Sequence, residues 1–257
     1  MPGAGSASPR PNAGCICRTA FATLVALGLL APLPGHTQTS PAGNRPVVLL
    51  HGLARTARSM RPIAATLEDA GRRVCNLDYP STKATVQALV EDHVLPAIRD
   101  CANDSDAAID FVTHSMGGIL VRVLAEHDDA PDIGRVVMLS PPNHGSELVD
   151  RLGDWWLFRW WNGPAGVSLG TDESALPARL GEPGFEFAVI TGDRSLNPLF
   201  SRWIPGADDG KVSVDSARLD GMAGFRTVPA SHTFIMRDDA AIGLTLQFLA
   251  DGRFDEP

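Results

Sequence analysis

Asp110-Phe111-Val112-Thr113-His114-Ser115-Met116-Gly117-Gly118-Ile119-Leu120-Val121-Arg122 is the stretch that decides how this 257-residue chain is read. Ala108 to Val112 has the make-up of a strand buried on both faces. The run reaches Ser115, and two glycines then open an apolar stretch with helical spacing. A serine on so sharp a strand-to-helix turn carries its hydroxyl above the sheet edge, and the N–H groups that follow point at any oxygen bound there. The glycines fit because a side chain close to the turn would collide with neighbouring backbone. Such a turn presents a nucleophile. Set against the pattern Gly-x-Ser-x-Gly, Thr113 stands at the first glycine position while Gly117 keeps the second. The alternative is an ordinary β-α loop in which Ser115 caps the helix.

Outward from that turn, short apolar runs alternate with helical patterns, which predicts an α/β fold with a mostly parallel sheet and crossover helices. Strands are expected over 45–50, 73–77, 108–112, 136–139 and 185–190, with a shorter one over 225–228. Met60, Ile63, Ala64 and Leu67 form one helical stripe, closed by Gly71 just past its end. Val86, Leu89, Val90, Val94 and Ile98 form a second, which Pro96 should kink or end. Ile242, Leu246 and Leu249 mark the last helix, with Asp238 and Asp239 as candidate caps. Residues 145–183 break the alternation. They hold four of the five tryptophans in Trp155-Trp156-Leu157-Phe158-Arg159-Trp160-Trp161, either a packed helical corner or a lid over a cleft.

Composition narrows the function classes. A chain 44% hydrophobic and 20% charged can bury one substantial core. Thirty acidic against 22 basic residues give a net charge of −8 with no Lys/Arg cluster suited to phosphates, which counts against nucleic-acid binding. The first residues read as a secretory signal: Arg10 and Arg18 without an acid, then the uncharged run Thr19 to Leu33. That run is short of the roughly 20 residues a membrane-spanning helix needs, although membrane anchoring stays the alternative to cleavage. The expected division is an export segment over 1–38, its boundary falling somewhere over 35–42, and one domain over 39–257. Cys15 and Cys17 would leave with that segment. Cys75 and Cys101 remain, and two cysteines in an oxidising compartment invite one disulfide rather than two buried thiols.

Upstream, Val47-Val48-Leu49-Leu50-His51-Gly52-Leu53 ends a second buried strand in His-Gly, some 60 residues before Ser115. With these two motifs the chain resembles an α/β-hydrolase, closest to bacterial lipase/esterase-type members and the related GPI inositol-deacylase-like branch, over residues 46–232. The resemblance implies a central, mostly parallel sheet with helices on both faces and a triad in the order serine, acid, histidine, with the aromatic-rich 145–183 segment as a lid-like insertion or a packed corner. It places the oxyanion hole at the backbone N–H groups of Leu53 and Met116. Of the seven histidines, His36 falls in the export segment, His51 and His114 flank the oxyanion loop and the elbow, and His93 and His127 lie in helical patterns. His144 precedes every plausible acid. His232 alone follows the last strand and precedes the last helix, which makes it the expected general base. For the acid, Asp209 in Asp209-Gly210-Lys211-Val212 resembles the family's acid turn, with Asp193 and Asp208 as alternatives.

The implied activity is hydrolysis of carboxylic esters through an acyl-enzyme on Ser115, with Asp209 and His232 completing the triad and no cofactor or metal taking part. No His-Glu-x-x-His, paired Cys-x-x-Cys or glycine-rich phosphate loop is present beyond the export segment. The partner is then a small-molecule or lipid ester, with membrane-surface association possible through Trp155–Trp161. An acyltransferase using the same triad and a non-catalytic binding scaffold are the rival readings.

Overall fold

Val47-Val48-Leu49-Leu50 is buried at every position, as a strand with cover on both faces requires. A computed structural model describes residues 45–102 and 107–255 of the chain, so the expected export segment lies outside the described residues. Six strands, β1 (Val47–Leu50), β2 (Val74–Leu77), β3 (Ile109–His114), β4 (Ile133–Leu139), β5 (Phe187–Gly192) and β6 (Gly224–Val228), form one sheet. Their order is β2-β1-β3-β4-β5-β6 and every pairing is parallel. Alternation along the strands sends Val48, Leu50, Phe111, Met138 and Val189 to one face and Val47, Leu49, Val112, Leu139 and Ile190 to the other.

Among the described residues ten α-helices accompany the sheet: α1 (Arg61–Asp69), α2 (Val86–Leu89), α3 (Leu95–Ala102), α4 (Met116–Ala125), α5 (Glu147–Leu152), α6 (Trp156–Val167), α7 (Leu176–Arg179), α8 (Pro198–Ser201), α9 (Val214–Ala217) and α10 (Asp239–Asp251). α1 and α10 pack on the Val47 face, whereas α2, α3 and α4 cover the Val48 face. Asp238 caps α10 by accepting from the Ala241 N–H at 3.0 Å. Gly71 takes φ 78° beyond the end of α1, a left-handed turn that suits glycine.

Pro96 does not end its helix. A π-helical stretch, Val90–Val94, joins α2 to α3, and the chain runs on past the proline. The wider turn absorbs the missing N–H and the ring within a continuous helical path. α6 is interrupted instead at Gly163, whose φ of 67° lies outside the helical region, just before Pro164. A disulfide joins Cys75 on β2 to Cys101 on α3, with the Cα atoms 6.1 Å apart. Closing a loop over a separation of 26 residues stabilises the fold by about 3.5 kcal/mol in the chain-entropy description. Among the described residues no helix is long and apolar enough to cross a membrane.

The order of the strands fixes where a ligand can bind. From β1 the chain crosses to β2 on one side and returns to β3 on the other, so a crevice opens at the carboxyl ends of β1 and β3. Leu53 and Ser115 stand at its two lips.

Candidate active site

The non-glycine residues with positive φ among the described residues are Ala54, Ser115 and Ser140, which follow β1, β3 and β4 respectively. Backbone strain is thus concentrated along one edge of the sheet. At Ser115 (φ 53°, ψ −123°) the strand turns directly into α4. From Phe111 to Leu120 only Ser115 is not fully buried. Gly117 permits this turn, because a Cβ there would come within 3.0 Å of the Leu50 carbonyl carbon. Thr113, at the position of the pattern's first glycine, is wholly buried.

Ser115, His232 and Asp209 come together in a chain of hydrogen bonds. The Ser115 Oγ lies 2.9 Å from His232 Nε2, and His232 Nδ1 lies 2.8 Å from Asp209 Oδ2. The other Asp209 oxygen accepts from the N–H groups of Lys211 and Val212 at 3.0 and 2.9 Å. Burial alone would raise the pKa of Asp209, but the charge and hydrogen bond of His232, with the Val212 N–H, outweigh it and hold the carboxyl below its ordinary value. The loops bearing Asp209 and His232 are also tied through their backbones, the His232 N–H donating to the Asp209 carbonyl at 2.9 Å. Gly192 lets both approach: a Cβ on it would stand 2.9 Å from the Ala230 carbonyl carbon and 3.1 Å from the Asp209 Cβ.

The other candidates have other surroundings. Asp193 pairs with Arg194 at 3.4 Å. Asp208 accepts from the Ser201 hydroxyl at 2.8 Å and the Gly210 N–H at 2.7 Å, which closes the turn that presents its neighbour. His144 is exposed. Leu53 and Met116 lie on facing lips of the crevice, and among the described residues neither N–H meets a protein acceptor.

Two buried histidines frame the site in ways the linear pattern did not convey. His114 donates from Nε2 to the His232 carbonyl at 2.9 Å, while its Nδ1 has no partner. Burial, then the neighbouring His232, drives its pKa well below the ordinary value and keeps the ring neutral. His51 donates from Nδ1 to the Gly52 carbonyl at 2.9 Å and stacks on Tyr79 with centroids 4.0 Å apart. The Tyr79 hydroxyl in turn donates to the His51 carbonyl, so the loop bearing Leu53 is fastened from below. Arg122, one turn and a half into α4, donates to the carbonyls of Asn143, Pro177 and Leu180. It anchors the far end of the 145–183 segment to the elbow helix. Burial lowers its pKa to about 10.

Beside Ser115 and His232 opens a cavity of about 510 Å³ with mostly apolar walls, among them Leu53, Leu148, Leu152, Trp155, Phe158 and Trp161. Its size suits a small organic ligand. The tryptophans are not packed away: Trp156 is 70% and Trp160 is 72% exposed, and Trp155 and Trp161 combine exposure with a place in the cavity wall.

Comparison with solved structures finds the same architecture. The mature Bacillus licheniformis lipase BlEst2 is 19% identical, with a TM-score of 0.63 over 83% of this chain and 94% of the lipase. Phospholipase PlaB from Legionella pneumophila is 20% identical, with a TM-score of 0.62 over 82% of this chain and 60% of the phospholipase. A metagenomic carboxyl esterase is 20% identical, with a TM-score of 0.54 over 80% of this chain and 69% of that protein. At these identities the likeness is one of fold. The family model for the alpha/beta hydrolase fold matches residues 45–180, just over half the chain, including Leu53, Ser115 and Met116. With its parallel sheet and its strained serine turn, the chain belongs to the alpha/beta hydrolase fold family.

Proposed function

We propose that the protein is a serine hydrolase of carboxylic esters. The observation that carries this reading is the hydrogen-bonded series Ser115, His232, Asp209 opening on an apolar cavity. In the proposed mechanism His232 Nε2 takes the proton of the Ser115 hydroxyl as its oxygen attacks the acyl carbonyl. Asp209 holds His232 with Nε2 bare toward the serine and offsets the charge the imidazole gains. The Leu53 and Met116 N–H groups receive the developing oxyanion, donors worth roughly 10²- to 10³-fold each in rate. His232 then protonates the departing alcohol, and a water activated by the same nitrogen releases the acid from the acyl-enzyme.

The walls suggest the guest: an acyl chain would fill the space between Leu53 and the Trp155–Trp161 segment, with α6 as its cover. Exposed indoles beside that opening suit a lipid surface, where an apolar body and a polar N–H are both satisfied. The Cys75–Cys101 disulfide favours an oxidising compartment and therefore export. Initial rates on p-nitrophenyl esters from acetyl to palmitoyl, with folded Ser115→Ala as the control, test the reading. Hydrolysis that disappears in the variant supports it, and the chain-length optimum separates esterase from lipase. No hydrolysis of any member, or full activity in the variant, refutes it.

A further inference from the structure

The Ser115 cavity does not end at its apolar wall. At Ala54, Arg55 and Trp161 it meets a second depression of about 620 Å³, whose further lining includes Thr56, Asp78, Ser81, Thr82 and Lys83. The strained turn at Ala54 (φ 53°) separates Leu53 from Arg55, and the Ala54 N–H donates to the Ser81 hydroxyl at 3.0 Å, joining the two walls. An ester held at Ser115 with its acyl chain among the leucines and tryptophans has this depression as the neighbouring space for its alcohol half. Arg55 stands at the threshold.

The charges there are unusual for a chain of net charge −8. Arg55 and Lys211 both line the Ser115 cavity, and among the described residues neither side chain has a carboxylate partner or a hydrogen bond. Partial burial, then the nearby Arg237, lowers the pKa of Arg55. Lys211 is exposed, and the covered part of its side chain, then Arg55, lowers its pKa although Asp209 opposes the shift. Two cations lining one cavity wall without a carboxylate partner favour an anion placed beside them. The carboxylates close by already accept hydrogen bonds: Asp209 from His232 at 2.8 Å, and Asp78 from the Ala57 N–H at 2.9 Å.

Resting on the ester-hydrolase reading, we propose that the preferred substrate is an acidic amphiphile: its acyl chain lies in the apolar cavity, and an anionic group on its alcohol half, a phosphate or a carboxylate, binds the Arg55 guanidinium beside Lys211. A guanidinium can meet either anion with two parallel N–H donors, which gives orientation as well as attraction.

Four octanoyl esters test this on the full-length protein: those of ethylene glycol (neutral), glycolate (carboxylate), glycerol 3-phosphate (phosphate) and choline (cationic). At low salt, kcat/KM for at least one anionic ester is expected to exceed the neutral ester by about 10-fold or more, with the choline ester poorest. The anion with the larger preference identifies the headgroup chemistry. In Arg55→Gln the anionic-to-neutral ratio is expected to fall below about 3-fold, whereas Arg55→Lys, which keeps the charge, retains a good part of it. A ratio near one in the parent, a choline ester hydrolysed fastest, or a ratio unchanged in Arg55→Gln overturns the inference while leaving the ester-hydrolase reading in place. Hydrolysis of none of the four overturns both.

Discussion

The strand edge bearing Ser115, Asp209 and His232 and the helical segment Trp156–Val167 face one cavity, yet they are held in opposite ways. At the strand edge Asp209 and His232 are buried, and each makes two or more hydrogen bonds to neighbouring loops or to each other. Gly117 and Gly192 let backbones approach where any side chain would intrude. Across the cavity, α6 lacks a side-chain cap at its start, breaks at Gly163, and leaves most of its indole surface in solvent. The proposed proton transfer demands atoms fixed to within fractions of an ångström, which an over-determined backbone supplies. A wall that receives a flexible chain or meets a lipid surface gains from being loosely held.

Breaking the rigid side should therefore cost most. Ser115→Ala is expected to lower kcat by about 10⁴-fold or more on every ester, read in steady-state rates after circular dichroism has shown the fold intact. Asp209→Asn, which keeps the shape but removes the charge that orients His232, should lose about 10³- to 10⁴-fold. Gly117→Ala tests the backbone rather than the chemistry. Its Cβ would press on the Leu50 carbonyl, so a loss of about 2 kcal/mol or more is expected in urea unfolding. A neutral effect would show that the close approach of α4 to β1 is not required.

Changes to the loose side sharpen the contrast by being small and selective. Trp155→Ala with Trp161→Ala should reduce kcat/KM on palmitoyl esters about 10-fold and on acetyl esters about 2-fold or less, since only the longer chain reaches that wall. Equal losses on both would make α6 part of the rigid frame.

The smallest effect concerns pH. His114 and His51 both have folded-state pKa values below the ordinary 6.5, chiefly through burial. Between that value and the lower folded ones the unfolded chain binds protons that the folded chain refuses, so stability falls on acidification across this window, by at most about 1.4 kcal/mol per pH unit for each histidine. His114→Asn should flatten the decline between pH 7 and pH 5 in denaturant titrations.

How much of this was legible in the sequence follows the same division. Ser115 could be read because its turn depends on backbone geometry, which glycines and apolar runs record directly. His232 followed from the order of elements, and Asp209 from the likeness of Asp-Gly-x-Val to a known acid turn, a glycine that takes φ 97° here. The early start of β4 at Ile133 escaped because Ile133, Gly134 and Arg135 are only partly covered and lack a strand's alternation. Pro96 left open whether the helix would kink or end, because a proline speaks for its own ring and missing N–H, whereas the π turn that carries the chain past it is a property of the whole helix. Arg122 gave no sign of its role, since the carbonyls it binds are spread over Asn143 to Leu180 and carry no side-chain signature. The placing of Arg55 and Lys211 on one cavity wall is equally tertiary, since they lie 156 positions apart.

Covalent trapping tests the central claim most directly. The protein would be treated with an alkyl fluorophosphonate, and the adduct counted by intact mass and located by peptide mapping. One adduct on Ser115 is expected, absent in Ser115→Ala and formed at least about 100-fold more slowly in His232→Ala. A parent protein that forms no adduct, or one that carries it on another residue and is inactivated all the same, would contradict the assignment of Ser115 as the nucleophile.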